Sequence, residues 1–155
     1  MFSWRCPKER IMAEPNPVPR RGSSDATLRF ESPDLLVSVL VGQVTAADMA
    51  RIAAEARRFA AGRLHVLGLC DISRLGAPTH ESRLVALEGF RNVPTRAIAF
   101  HGGGSRMRVM PSLVGAAVNL FSSRTQQCPM RFFASEAEAR TWLSHRRDEL
   151  RRELR

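Results

Sequence analysis

Five short apolar runs along the chain predict β-strands. The run over residues 35–41 is rich in β-branched residues, and residues 64–71 are almost continuously apolar, as in strands that are covered on both faces. The turn signal Ser32-Pro33-Asp34 precedes residues 35–41, so we expect a hairpin to open the fold. The five predicted strands cover residues 27–31, 35–41, 64–71, 96–100 and 130–133.

Four other segments place apolar residues at helical spacing. Thr45 with Asp48, and Ser135 with Glu138, have the spacing of a capping box, in which side chains satisfy free backbone N–H groups. Gly62 is a natural stop for the first helix. The four predicted helices begin near Thr45, Thr79, Met110 and Ser135, which gives the element order β-β-α-β-α-β-α-β-α.

This alternation of strands and helices predicts an α/β fold. Strands that are separated by helices pair in parallel through right-handed crossovers, and the helices pack on the faces of the sheet. We therefore expect a mostly parallel sheet of four to five strands with about four helices.

Length and composition fit one domain preceded by a leader. The chain has 155 residues, of which 44% are apolar and 6% aromatic, as in globular proteins. Residues 1–26 contain four prolines and follow neither the helix nor the strand period, which predicts a flexible leader with Met12 as an alternative translation start. Residues 27–155 are expected to form a single domain whose last helix has an Arg-rich end.

The charge of the chain invites a nucleic-acid interpretation. Twenty-four basic residues, all arginine except Lys8, against fifteen acidic residues give a net charge of +9. A positive charge attracts polyanions, yet the sequence lacks a helix-turn-helix signal, zinc-ligand spacing and an aromatic ribonucleoprotein motif. We therefore expect no specific nucleic-acid binding.

Cysteine spacing and hydropathy indicate the compartment. Cys6, Cys70 and Cys128 are widely spaced and odd in number, which argues against a disulfide framework. No stretch reaches about twenty uncharged apolar residues, as a transmembrane helix requires, and the first residues lack the apolar run of a signal peptide. We expect a cytoplasmic protein with reduced thiols.

Several local sequences accompany this order of elements. Gly42-Gln43-Val44-Thr45 leads from strand into helix, and Asp71 ends the third strand. The last strand, Arg131-Phe132-Phe133, is followed by Glu136, Ala139, Trp142 and Leu143. Together these features resemble the SpoIIAA-like branch of the STAS domain superfamily over about residues 27–144. The resemblance implies a small cytoplasmic bacterial α/β domain, related to anti-sigma factor antagonists and compared in shape with CRAL-TRIO lipid-transfer domains.

The resemblance also directs attention to the start of the second helix. Anti-sigma factor antagonists carry Asp-Ser-Ser-Gly there, and phosphorylation of the first Ser adds charge that breaks a protein interface. The matching stretch here is Pro78-Thr79-His80-Glu81, which keeps only the hydroxyl, on Thr79. Thr79 is therefore either a helix cap or a phospho-switch, with Ser73 and Ser82 as weaker phosphorylation candidates.

A glycine-rich stretch lies between the fourth strand and the third helix. Gly102, Gly103 and Gly104 would let backbone N–H groups approach an anion, with Ser105, Arg106 and Arg108 close by. Six arginines and no acidic residue occur between Gly89 and Ser135. An anion site is one interpretation, and a mobile connector is the other.

No catalytic or metal-binding set is apparent. The four histidines are scattered, and neither they nor the cysteines have the spacing of a zinc site. Asp71 stands at a strand's carboxyl end, where α/β folds often place functional groups, and His80 or His101 beside it would form a loop site. Otherwise Asp71 is a turn residue. We expect no cofactor, no metal and no enzyme activity.

Two functions follow from these features. The first is a regulatory module that binds a partner protein through the second helix and the loop before it. The second is a small binding domain for an apolar or lipid-like ligand, held between sheet and helices, with Arg106 or Arg108 near an anionic headgroup. Its candidate lining is Met107, Met110, Val114, Val118 and Phe121, which could equally be plain core. The oligomeric state stays open, with a dimer as one option.

Overall fold

The chain enters its sheet through an antiparallel hairpin. The computed structural model describes residues 25–104 and 128–153. Strand β1 (Asp25–Glu31) pairs with β2 (Leu35–Gly42), and Glu31 lies opposite Leu35 beside the turn. The predicted opening hairpin is therefore present.

Three parallel strands continue the sheet from β2. They are β3 (Val66–Leu75), β4 (Thr95–His101) and β5 (Met130–Phe133), and the spatial order β1-β2-β3-β4-β5 follows the chain. Every neighbouring pair from β2 to β5 is parallel. The mostly parallel sheet predicted from the sequence is confirmed, with five strands.

Helices pack on both faces of this sheet. Helices α1 (Ala46–Ala60) and α2 (His80–Phe90) lie against each other on one face, and α3 (Glu136–Glu153) packs on the other. Side chains along β2 alternate accordingly, because successive residues of a strand point to opposite faces. Leu36 packs with the α1 side, whereas Leu35 and Val37 pack with Leu143 of α3.

The helix starts follow the predicted caps. Thr45 and Asp48 form a reciprocal capping box, with the Asp48 N–H donating to Thr45 Oγ1 over 3.2 Å and the Thr45 N–H to Asp48 Oδ2 over 3.0 Å. At α3, Ser135 Oγ accepts from the Glu138 N–H at 3.3 Å. Glu138 itself accepts from Ala134 rather than from Ser135, so this second box is shifted by one residue.

The third strand begins later than predicted. The sequence predicts a strand over residues 64–71, but β3 starts at Val66 and extends to Leu75. The prediction that Asp71 ends this strand is wrong, because pairing with β2 continues to Leu75. Gly62 has a left-handed φ of 73°, and the Arg63 N–H bonds back to the Ala60 carbonyl, so the end of α1 holds the chain in a turn. Leu64 therefore lies in a loop and is 82% exposed. The predicted helix near Met110 lies outside the described residues.

Candidate functional site

The start of α2 is built around Thr79. Its hydroxyl accepts a hydrogen bond from the Ser82 N–H at 3.0 Å, which satisfies one of the free donors of the first turn. Ser82 Oγ donates to the Thr79 carbonyl, also at 3.0 Å, and Ser82 is only 2% exposed. The cap predicted for Thr79 is present, and Ser82 is a buried part of the same turn.

Helix α2 presents a mixed surface to solvent. We define the α2 outer face as His80, Glu81, Leu84 and Glu88, all of which are exposed. Leu84 is 52% exposed, so a large apolar side chain stands among polar ones.

Close packing fixes the position of α2. A Cβ built on Gly89 would lie 2.4 Å from the Cβ of Ala53, so the two helices approach closely where α2 has no side chain. Arg57 Nη1 of α1 also donates to the Gly89 carbonyl at 2.7 Å. The α2 outer face therefore belongs to a helix that packs closely against α1.

Asp71 within β3 lies beside His101 at the carboxyl end of β4. The two residues are direct partners in the parallel register, and His101 is 8% exposed. Asp71 Oδ1 accepts from the Ser73 N–H at 2.9 Å. Burial raises the pKa of Asp71, but hydrogen bonds from Ser73 and the nearby His101 and Arg74 outweigh it, so the pKa lies below its usual range.

Gly102 completes this cluster. Its φ is 80°, and a Cβ built on it would lie 2.7 Å from the Cβ of Ser73 and 3.2 Å from Asp71 Oδ1. Any other residue would be strained there and would push Ser73 away. The predicted pairing of Asp71 with His101 is thus found as an adjacency, whereas His80 is exposed on α2 and has no hydrogen bond to Asp71 within the described residues. Ser105, Arg106 and Arg108 lie outside those residues.

An apolar cleft separates α2 from the sheet. Its volume is about 240 Å³. Burial raises the pKa of the Cys70 thiol in this cleft to about 11, although a hydrogen bond with Ser38 lowers it somewhat. The thiol is therefore neutral at physiological pH. The predicted lining around Met107 and Phe121 lies outside the described residues. The described lining includes Leu40, Ile52, Cys70, Leu87, Ile98 and Phe100.

Sequence reasoning missed a polar cluster between the hairpin and α3. The carboxylate of Asp34, which is 7% exposed, accepts from Arg147 Nη2 at 2.6 Å and lies 3.3 Å from His65 Nε2. Arg140 Nη1 donates to Glu31 Oε2 at 2.7 Å. The bond from Arg140 is the main reason why the pKa of Glu31 falls to about 2. These pairs bind α3 to the hairpin.

Neither a metal site nor a membrane-spanning helix is found in the described part of the chain. No cluster of three or more His, Cys, Asp or Glu side chains in residues 25–104 and 128–153 could hold a metal ion. No helix in the same ranges is both long and apolar enough to cross a membrane.

Comparison with known proteins bears on the fold. No family model matches the chain, and no curated protein matches it significantly. A solved structure does match: an uncharacterized DUF3478-family protein with a SpoIIAA-like fold from Shewanella loihica PV-4, with a TM-score of 0.57 over 77% of this chain and 93% of that one. The fold is SpoIIAA-like. The resemblance drawn from the sequence is confirmed at the level of fold, and at 18% identity the likeness extends no further.

Proposed function

We propose that this SpoIIAA-like domain is a non-catalytic interaction module of a bacterial cytoplasm that binds a partner protein through the α2 outer face and the loop before it. The observation that carries the proposal is Leu84, half exposed on a helix that packs closely against α1 at Gly89. An apolar side chain on an otherwise polar surface gains free energy when a partner covers it.

Thr79 supplies a means of regulation at the edge of the same surface. A phosphate on its hydroxyl would add roughly −1.5 to −2 charges beside the α2 outer face. Helix N-termini tolerate negative charge, so the added phosphate would act on the interface rather than unfold α2. Ser73 is exposed and stays a second candidate for phosphorylation, whereas buried Ser82 would require the first turn of α2 to open.

A capture experiment tests this proposal. The full chain is used as bait for proteins of its source cells, and the partner is then purified for calorimetric titration. Leu84→Ser is expected to weaken the complex about tenfold, because it removes one well-buried interface contact. Thr79→Glu is expected to weaken it by a similar factor, because it adds negative charge beside the α2 outer face. Thr79→Ser keeps the capping hydroxyl and Leu64→Ser removes an exposed leucine elsewhere, so both should bind like wild type. Equal binding by all four variants would contradict the proposal.

The apolar cleft favours a second candidate function. A cavity of about 240 Å³ with apolar walls suits part of a hydrocarbon chain, as in a binding domain for a lipid-like ligand. In that case an anionic headgroup would be held near Gly102, Gly103 and Gly104, with Ser105, Arg106 and Arg108 as the further candidates.

Binding of oleate separates this function from the first. Ala86 lines the cleft, so Ala86→Phe should fill it and weaken oleate binding severalfold. Leu84→Phe adds a similar ring on the α2 outer face and is the matched control. Absence of oleate binding by the wild-type chain, or an equal effect of both variants, would remove the cleft as a ligand site.

A further inference from the structure

The turn between α1 and β3 exposes an apolar side chain at its tip. Residues 61–64 are all exposed, and Leu64 has more of its surface in solvent than either of the other two exposed large hydrophobic residues of the described chain, Leu84 and Phe132. The turn is held by the hydrogen bond from the Arg63 N–H to the Ala60 carbonyl at 3.0 Å. Leu64 is thus presented by an ordered loop.

Two arginines beside this turn are held by aromatic rings. Arg58 lies over the ring of Phe59 at 5.3 Å, Phe59 stacks on Phe30 at 5.7 Å, and Arg63 lies over Phe30 at 4.2 Å. Arg63 also donates to the carbonyls of Phe59, at 2.8 Å, and Pro33, at 3.1 Å. Because these contacts fix the guanidinium groups in advance, binding an anion would cost little further ordering.

The charge of this surface is not compensated by nearby acids. Arg57, Arg58 and Arg63 form no ion pair with any carboxylate of residues 25–104 and 128–153. Most other arginines of those ranges are paired, namely Arg29, Arg51, Arg91, Arg96, Arg140, Arg146, Arg147 and Arg151. Unpaired positive charge therefore lies in the last turn of α1 and in the turn that carries Leu64.

We propose that Arg57, Arg58, Arg63 and Leu64, the α1–β3 turn surface, bind the anionic headgroups of a membrane surface. Arginines attract anionic lipids, and an exposed leucine among them can enter the apolar boundary below the headgroups. A nucleic acid would engage the arginines but offers no apolar medium for Leu64. This surface is distinct from the α2 outer face and adds a second binding function. Arg57 contacts Gly89 near the C-terminal end of α2, whereas Thr79 lies at the N-terminal end of that helix. A partner on the α2 outer face and a membrane could thus be bound together.

Co-sedimentation of the full chain with lipid vesicles tests the proposal. Vesicles of phosphatidylcholine alone are compared with vesicles that also contain phosphatidylglycerol, at low and at physiological salt. The wild-type chain should bind the anionic vesicles selectively, and more weakly as salt rises. Arg58→Gln should lower the partition coefficient about fivefold, the effect of one cation at an anionic surface, and Leu64→Ser should lower it by about the same factor or more.

Arg74→Gln is the matched control for net charge. Arg74 is exposed near Asp71 at the far end of β3, so its loss removes the same charge from another surface. Failure of wild type to bind anionic vesicles would overturn the proposal, as would equal losses for Arg74→Gln and Arg58→Gln. Duplex DNA binding that competes with vesicles, together with full vesicle binding by Leu64→Ser, would instead identify a general polyanion surface. Thermal melts of Arg58→Gln, Leu64→Ser and Arg74→Gln establish that the fold is retained in all three variants.

Discussion

At the scale of single residues, the ion pairs that Glu31 and Asp34 make with α3 hold separate elements together, whereas most other pairs lie within one helix or strand. The Glu31 carboxylate accepts hydrogen bonds from Arg140 of α3 and from Arg29 of its own strand. These bonds lower the pKa of Glu31 from 4.5 to about 2. Because the folded state holds the proton less tightly than the unfolded state, this ion pair stabilises the fold above about pH 4.5. The contribution declines as the pH falls from about 4.5 to about 2.

Replacing Glu31 tests this assignment. Glu31→Gln should lower the free energy of unfolding at neutral pH, and the difference from wild type should shrink as the pH falls through that interval. Urea denaturation at a series of pH values measures both curves. Glu81→Gln removes an exposed carboxylate that has no ion pair in the described part of the chain, and it should lower the free energy of unfolding at neutral pH less than Glu31→Gln does. A Glu31→Gln difference that does not change with pH would contradict the role of the pair.

At the scale of elements, the contact of α1 with α2 is the one that matters most for the proposed function. Gly89 meets Ala53 so closely that an added methyl group must move one helix. Gly89→Ala should therefore destabilise the fold by about 1–2 kcal/mol, since overpacking outweighs the gain of about 1 kcal/mol in helix propensity.

A double-mutant cycle separates the contact from propensity. In the Ala53→Gly background the added methyl has room, so Gly89→Ala should there be neutral or stabilising. Free energies of unfolding for the four chains give the coupling directly. If Gly89→Ala stabilised the wild-type background as well, the two helices would not be tightly packed.

The elements also show what a single sequence can and cannot predict. The Thr45 and Thr79 caps and the order of the strands follow from local signals, because spacing alone determines which side chain reaches which N–H group. Leu64 was wrongly placed in a strand because an apolar run carries no information about where the preceding turn ends. Arg147 and Asp34 are 113 residues apart, and no local pattern indicates that they pair. Asp71 and His101 are neighbours because of the register between β3 and β4, which the sequence pattern does not determine.

At the scale of the whole molecule, α2 connects two different surfaces. Thr79 and Leu84 belong to the face proposed for a partner protein, and Gly89 at the other end contacts the Arg57 side of the α1–β3 turn surface. Within the described residues, arginines paired with acids add little to attraction at a distance, so the unpaired Arg57, Arg58 and Arg63 set the charge of the α1–β3 turn surface. The apolar cleft lies between α2 and the sheet and is separate from both surfaces.

Native mass spectrometry of the full chain from its source cells shows whether the α2 outer face binds a protein. One spectrum distinguishes a retained protein partner, a lipid-sized ligand and a bare chain. We expect wild type to carry a partner protein of defined mass, Leu84→Ser to lose it, and Leu64→Ser to keep it. A lipid-sized increment without a protein partner, unchanged by Leu84→Ser, would contradict the claim and favour the cleft.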